Sequence, residues 1–154
     1  MNNNDVIRRI RYTFDLSDQM MIDIFSLAGT TVSRSQVTDW LKRDDDPAFR
    51  LIPDGKLAAF LNGWIVEKRG KKDDKPIVNE EKLNNNIILR KIKIALKLKD
   101  DDIIDFYDLA DVRLSKHELS AFFRHPDKSQ YRPCQDQFLR NFLQGMQRTY
   151  KPKK

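Results

Sequence analysis

With 154 residues, 40% of them hydrophobic and 34% charged, the chain is long enough for one ordinary domain or two small ones and has the balance of a soluble globular protein. No run approaches the ~20 apolar residues of a membrane span, the start Met1-Asn2-Asn3-Asn4-Asp5 lacks the basic and apolar regions of a secretory signal, and a lone cysteine, Cys134, excludes an intrachain disulfide, so a reducing cytoplasm is expected. The formal net charge of +6 leaves a nucleic acid and an acidic protein open as partners.

Asn3 or Asn4 is placed to cap a first helix that runs to about Asp15, with Val6, Ile7, Ile10 and Phe14 at helical spacing. Ser17 or Asp18 starts a second helix whose packing side is Met21, Ile22, Phe25, Leu27 and Ala28, and Gly29 stops it. Ser33 caps a short third helix carrying Val37, Trp40 and Leu41, which ends before Pro47. Phe49 packs inward from the loop that follows, and Asp54 caps a fourth helix over about Gly55 to Lys68, with Leu57, Phe60, Leu61 and Trp64 as its stripe. Residues 71–84, mixed in charge and interrupted by Pro76, read as a linker, with Ile77-Val78 able to lie against one domain. The plan then recurs. A helix over about Asn86 to Lys97 buries Ile88, Leu89, Ile92, Ala95 and Leu96, and Asp100-Asp101-Asp102 opens a second that packs through Ile103, Phe106, Tyr107 and Leu109. Ser115 caps a third with Leu119, Phe122 and Phe123, Asp136 caps a fourth with Leu139, Phe142, Leu143 and Met146, and the tail from Tyr150 through Lys151, Lys153 and Lys154 is expected to fray.

The recurrence is a duplication. Residues 3–69 match 85–151 without a gap, at an offset of 82. The closest segments are Phe49-Arg50 through Gly63 and Tyr131-Arg132 through Gly145. Both read aromatic-Arg-x-x-x-Asp-x-x-Leu-x-x-Phe-Leu-x-Gly. A glycine inside a helix costs about 1 kcal/mol relative to alanine. Two of them at one repeat position, Gly63 and Gly145, point to close approach of helices. No stretch alternates as a strand would. The expected fold is all-α: a first unit over 1–70, the charged linker 71–84 and a second, basic unit over 85–154, each of about four helices, in a monomeric chain. Units this small are expected to bury further surface on each other or on a second chain.

Several of these marks together resemble the YehS-like family of bacterial proteins, a duplicated domain of unknown function. They are the paired asparagines Asn3-Asn4 and Asn85-Asn86, Trp40-Leu41-Lys42 before Asp44-Asp45-Asp46, Phe60-Leu61-Asn62-Gly63, and Asp136 through Leu143. The resemblance implies the doubled architecture and a bacterial cytosolic setting, and brings no catalytic residue with it.

Two features suggest function. The junction from Met21 through Gly29 to Ser33 and Lys42 is similar to a helix-turn-helix, with Arg34, Gln36, Thr38, Lys42 and Arg43 outward and suited to base edges and phosphates. Its turn is a residue or two longer than the standard motif, Asp39 and Asp44-Asp45-Asp46 oppose phosphate, and the second copy carries Glu118 on the equivalent helix. Many small helical domains contain such a helix with no nucleic acid bound. The second feature is charge: residues 85–154 hold 15 basic and 9 acidic side chains, and the rest of the chain is neutral. There Arg90, Lys93 and Lys97 fall on one helical stripe flanked by Lys91 and Lys99, and with Lys116, Arg124, Arg140, Arg148 and the lysine tail they compose a phosphate-contacting face or, equally, a solvated one. Arg50, Asp54, Arg132 and Asp136 read as structural caps. His117, His125 and Cys134 have no zinc spacing, and neither a phosphate loop nor a nucleophile–base pair is evident. The expectation is a non-catalytic cytosolic nucleic-acid-binding regulator or accessory protein without cofactor, its ligand DNA or RNA. The alternative is a module for protein interaction or self-association, meeting an acidic protein or forming a weak homodimer.

Overall fold

The structure, a computed structural model, describes residues 1–152. Among them are eight helices and no strand. They fall into two compact units, Met1–Leu83 and Asn84–Lys154. The first contains α1 (Asn3–Phe14), α2 (Asp18–Leu27), α3 (Arg34–Trp40) and α4 (Asp54–Arg69). The second contains α5 (Asn85–Ala95), α6 (Asp100–Leu109), α7 (Lys116–Phe122) and α8 (Asp136–Tyr150). Lys153 and Lys154 of the expected basic tail lie outside the described residues, and α8 holds its helix through Tyr150.

Each unit is built on one tight helix pair. In the first, Met21, Ile24 and Phe25 of α2 meet Leu57, Phe60, Leu61 and Trp64 of α4, with α1 adding Val6, Ile7 and Ile10 and α3 adding Val37 and Trp40, all buried. Phe25 lies 5.4 Å from Phe60 and 5.6 Å from Trp40, ring centre to ring centre. In the second, Ile103, Phe106 and Tyr107 of α6 meet Leu139, Phe142, Leu143 and Met146 of α8 in the same way. Each such side chain contributes ~1.5–3 kcal/mol by leaving water, the main favourable term in so small a core. Leu27 and Leu109, assigned by periodicity to the packing side, are each 44% exposed. Each is the last residue of its helix, where the chain turns out of the pair.

The paired glycines have a definite cause. A Cβ on Gly63 would stand 1.9 Å from the Ile24 carbonyl oxygen, and one on Gly145 would stand 2.0 Å from that of Phe106. Backbone meets backbone at both crossings, so neither neighbour is a side chain that could swing aside.

The asparagines at the head of each unit divide three tasks. Asn2, not Asn3 or Asn4, caps α1: its Oδ1 accepts from the Asp5 amide at 2.9 Å while Asp5 Oδ2 accepts from the Asn2 amide. Asn84 caps α5 by accepting from the Ile87 amide. The next residue ties the fourth helix: Asn3 Nδ2 donates to the Ile52 carbonyl and to Asp54 Oδ1, and Asn85 Nδ2 to the Cys134 carbonyl and Asp136 Oδ1. Asp54 and Asp136 therefore do not cap. They are the first residues of α4 and α8, behind Pro53 and Gln135, and these hydrogen bonds hold both carboxyls below their ordinary value. The third asparagine is buried. Asn4 Nδ2 donates to the carbonyls of Trp40 (2.9 Å) and Arg50 (2.8 Å), and its Oδ1 accepts from the Ile52 amide (2.9 Å). Asn86 repeats this on Phe122 (3.0 Å), Arg132 (2.9 Å) and Cys134 (2.8 Å).

The copies diverge at their fourth helices. Residues 79–83, expected to be free linker, form a strap across α4. The Leu83 amide donates to Asp54 Oδ2, Asn62 Nδ2 donates to Asn79 Oδ1 (3.0 Å) and Glu80 Oε1 (3.2 Å), and Asn79 Nδ2 reaches the Ala28 carbonyl. The earlier part lies in solvent, with residues 71–76 exposed and Val78 89% exposed. The two fourth helices also differ in burial: α4 is buried continuously from Leu57 to Trp64, whereas α8 is buried on one side only.

Two substitutions test this framework. Gly63→Ala or Gly145→Ala forces the helix pair apart and is expected to cost about 3 kcal/mol, the upper end for overpacking, against the small gain an alanine gives an exposed helix. Asn4→Ala or Asn86→Ala strands two carbonyls and an amide, each costing ~1–3 kcal/mol when buried without a partner, so a loss of about 3 kcal/mol or more is expected in urea titrations. A loss below about 1 kcal/mol in either series would show that the site relaxes or that water takes the place of the side chain.

Candidate nucleic-acid interface

The helix-turn-helix-like junction forms as a real corner. After α2 the Thr30 amide donates back to the Phe25 carbonyl, Gly29 takes φ +74°, and buried Val32 pins the turn before Ser33 caps α3. The second copy uses the same path, with the Val112 amide on the Tyr107 carbonyl and Leu114 buried. Asp111 stands there at φ +60° in place of the glycine, one of the few residue types that tolerate the left-handed region.

The outward side chains of α3 are largely occupied at home. Ser33 and Gln36 form a capping box: the Gln36 amide donates to Ser33 Oγ, and the Ser33 amide donates to Gln36 Oε1 at 2.9 Å. Thr38 Oγ1 donates to the Arg34 carbonyl one turn back. Arg34 donates to Gln19 Oε1 at 3.1 Å and lies 3.9 Å from Asp18. Lys42 lies beyond the helix, paired with Asp39 at 3.1 Å, and Arg43 reaches Asp45 at 3.5 Å from a fully solvated position. These pairs are surface contacts of small strength, so Arg34, Lys42 and Arg43 remain available cations, whereas Gln36 and Thr38 hold the helix itself.

The basic residues of the second unit separate in the same way. Arg90 donates to the Phe123 carbonyl at 3.2 Å and so closes the end of α7, just as Arg8 closes the end of α3 on the Lys42 carbonyl. Lys93 sits 4.3 Å above the Phe123 ring and 3.5 Å from Asp100. Lys97 leaves the expected stripe. The helix ends at Ala95 because Lys97 adopts φ +54°, letting the Leu98 amide bond back to the Lys93 carbonyl. Lys116 pairs with Asp101 at 3.0 Å. Arg124, half-buried, follows α7, and Arg140 is exposed on α8. Arg132 lies over the Phe122 and Phe138 rings and 3.9 Å from Glu118. Lys97, Arg113 and Lys128 are exposed and enter no ion pair among the described residues.

Along the sequence the carboxylates of this unit gather in one place, although in space Lys93 and Lys116 pair with two of them, Asp100 and Asp101. Asp100, Asp101, Asp102, Asp105, Asp108 and Asp111 all belong to α6 or its end. The remainder of residues 84–154 holds fifteen Lys and Arg against Glu118, Asp127 and Asp136. Elsewhere the chemistry is quiet. Burial pushes the Cys134 thiol up to about 12, leaving it protonated at neutral pH. Among the described residues no cluster of His, Cys, Asp and Glu is arranged to hold a metal ion, and no helix is long and apolar enough to cross a membrane. Two shallow depressions in the first unit share Arg8 and Leu41, but Arg8 is already committed to the Lys42 carbonyl and, at 3.0 Å, to Asp44.

The two units match one and the same family model. The chain belongs to the family described as protein of unknown function (DUF1456), which matches residues 3–70 and again residues 85–151. It is 40% identical over 147 residues to the uncharacterized protein YehS of Escherichia coli (strain K12), covering 95% of this chain and 94% of that protein. No solved structure matches it.

The two third helices differ in one way that pH should expose. Glu118 takes the place of Gln36 in the α7 box, and bonding within the box to Ser115 holds its carboxyl below the ordinary 4.5. A depressed carboxyl stabilises the box fully above 4.5 and stops doing so as pH falls through its lowered value. Amide chemical shifts of Ser115 and Glu118 are therefore expected to titrate together below about 4.5, while those of Ser33 and Gln36 stay flat. Equal movement in both boxes would show that the acid effect is global.

Proposed function

We propose that this chain is a non-catalytic nucleic-acid-binding protein, regulatory or accessory in role, whose second unit supplies most of the phosphate contacts. The observation that carries this reading is the cationic excess of the second unit. Residues 85–154 hold fifteen cations against nine carboxylates, and six of the nine lie in α6 or just after it. A small unit with a net charge of one sign attracts polyanions and raises their encounter rate. Arg34, Lys42 and Arg43 of the first unit add cations at the end and start of α3, within its helix-turn-helix-like corner. The second reading, a protein-interaction module, draws support from large apolar side chains left in solvent, Leu51 at 64% and Tyr12 at 56%.

Salt separates the two. Retention of labelled DNA and RNA pools is expected at low salt and is expected to fall steeply toward moderate salt, by a logarithmic slope of about 0.9 for each phosphate contacted in a duplex. Lys97→Glu, Arg113→Glu and Lys128→Glu together should flatten that slope by two to three contacts' worth, on the order of 2–3. These positions are preferable to Arg90 and Lys93, whose loss would disturb the end of α7. No retention of either pool at low salt, with one stoichiometric and nuclease-resistant protein recovered from lysate, would replace the first reading with the second.

A further inference from the structure

We infer that α8 is a reading helix for duplex DNA, its outward row of amides and cations entering the major groove; this deepens the nucleic-acid reading above and rests on it. At 3.6 residues per turn, Gln137, Arg140, Asn141, Gln144, Gln147 and Arg148 share one sector of the helix, and Leu139, Phe142, Leu143 and Met146 occupy the buried sector opposite. The outward sector contains no carboxylate. Gly145, the residue pressed against α6, lies ~140° around the axis from Arg140 but ~40° from Asn141 and ~60° from Arg148, which donates to the Leu109 carbonyl at the end of α6; the row borders the acidic helix along that edge, and Gln137, Arg140, Gln144 and Gln147 lead away from it.

The residue types are those that base edges select. Arginine pairs bidentately with guanine, and asparagine or glutamine pairs bidentately with adenine. Gln137 Nε2 donates to Asn141 Oδ1 at 3.0 Å, which keeps two of the amides in register one turn apart. Gln137 and Arg140 stand in solvent, and Asn141, Gln144 and Gln147 are half-buried. With 15 residues, α8 is ~22 Å long, and a helix of ordinary diameter fits the roughly 12 Å major groove of B-form DNA. The deep, narrow major groove of A-form RNA does not admit it. Single strands call for exposed stacking rings, and among the described residues of this unit Tyr150 is the one aromatic ring that stands exposed.

Comparison of the two copies supplies the second argument. The equivalent sector of α4 is Gly55, Ala58, Ala59, Asn62, Ile65 and Val66, and its N-terminal part lies under the strap. The buried sectors of the two helices keep the same character, Leu57/Leu139, Phe60/Phe142, Leu61/Leu143 and Trp64/Met146. The two helices differ most in this sector, which is small and apolar but for Asn62 in α4 and amide and cationic in α8. By contrast, α3 is only seven residues long and spends Gln36 and Thr38 on its own backbone.

The test uses the full chain. A pool of random duplexes is enriched by binding, and affinity for the enriched duplex and for its scrambled version is read by fluorescence anisotropy. The wild type is expected to prefer the enriched duplex over the scrambled one, and any duplex over the same sequence as RNA. Gln137→Ala/Asn141→Ala/Gln144→Ala removes no charge. It should reduce the preference at least about tenfold while leaving the scrambled affinity within about threefold. Gln144→Glu, which places a carboxylate in the groove, should weaken both duplexes by about tenfold. Lys97→Glu/Arg113→Glu/Lys128→Glu should weaken both equally and leave their ratio intact. Thermal unfolding of the triple alanine variant is expected to stay close to the wild type, since the helix propensity of alanine offsets the lost Gln137–Asn141 bond. If the wild type binds duplex and the triple alanine variant keeps its full preference, or if the wild type shows no preference or favours RNA or single strands, the assignment of α8 is overturned and the basic-face reading stands. If the wild type retains no nucleic acid at low salt, both are overturned.

Discussion

Asn4 and Asn86 hold together what the helices alone cannot. Each unit must return from the end of its third helix to the start of its fourth through about a dozen residues without regular structure. A backbone running inside a small protein has to satisfy its polar groups, and here one buried amide side chain satisfies three of them from the first helix. The clamp sets where α3 ends and where α4 begins. The neighbouring asparagine fastens the same loop a second time at Asp54 or Asp136. Around that fixed corner the helix pairs α2–α4 and α6–α8 close to backbone contact at Gly63 and Gly145. The path from the third helix to the fourth thus follows from two residues at the head of the unit.

Much of this was legible in the sequence, and the reasons differ from feature to feature. The 3.6-residue rhythm of Ile7, Ile10, Phe25, Phe60 and Phe142 identified helices and their inner faces, because burial enforces it. The two glycines were legible because duplication displayed them twice. The roles of Asn2, Asn3 and Asn4 were not, because three like residues in succession are each competent to cap, and only distant carbonyls decide among them. Asp54 had the composition of a cap, but Pro53 holds that position, and the carboxylate serves Asn3 and Leu83 instead. Lys97 closed an apolar–basic pattern that looked helical from about Asn86 to Lys97, and its left-handed turn carries no mark in a lysine. Gln36 was suited equally to a base edge and to a serine amide three residues back, and the nearer partner claimed it. The strap was hidden because its hydrogen bonds run through side-chain amides seventeen or more residues apart in a stretch with a linker's composition.

Charge and packing have parted company in the duplication. Interior positions stayed apolar in both copies, with changes of size such as Trp64/Met146 and Ile24/Phe106 taken up within each core. Surface positions were free to drift, and in the second copy they separated by sign, carboxylates to α6 and cations to α5, α7, the loop after it and α8. A fold that leaves its exteriors uncommitted in this way lets one copy carry binding while the other carries scaffold. Which chemistry each exterior acquired is the functional question, and it turns on residues that packing does not constrain.

The strap also means that the two halves have different natural edges. A fragment of the first half trimmed at Gly70, where α4 has just ended, would lack Asn79, Glu80 and Leu83 and the hydrogen bonds they make to Asn62, Ala28 and Asp54. Carried on to Leu83, the same fragment would keep those bonds. Thirteen residues that look dispensable are thus divided in their duty, the earlier ones standing in solvent and the later ones a fastening, so that deletion across them would be tolerated on one side of Val78 and felt on the other.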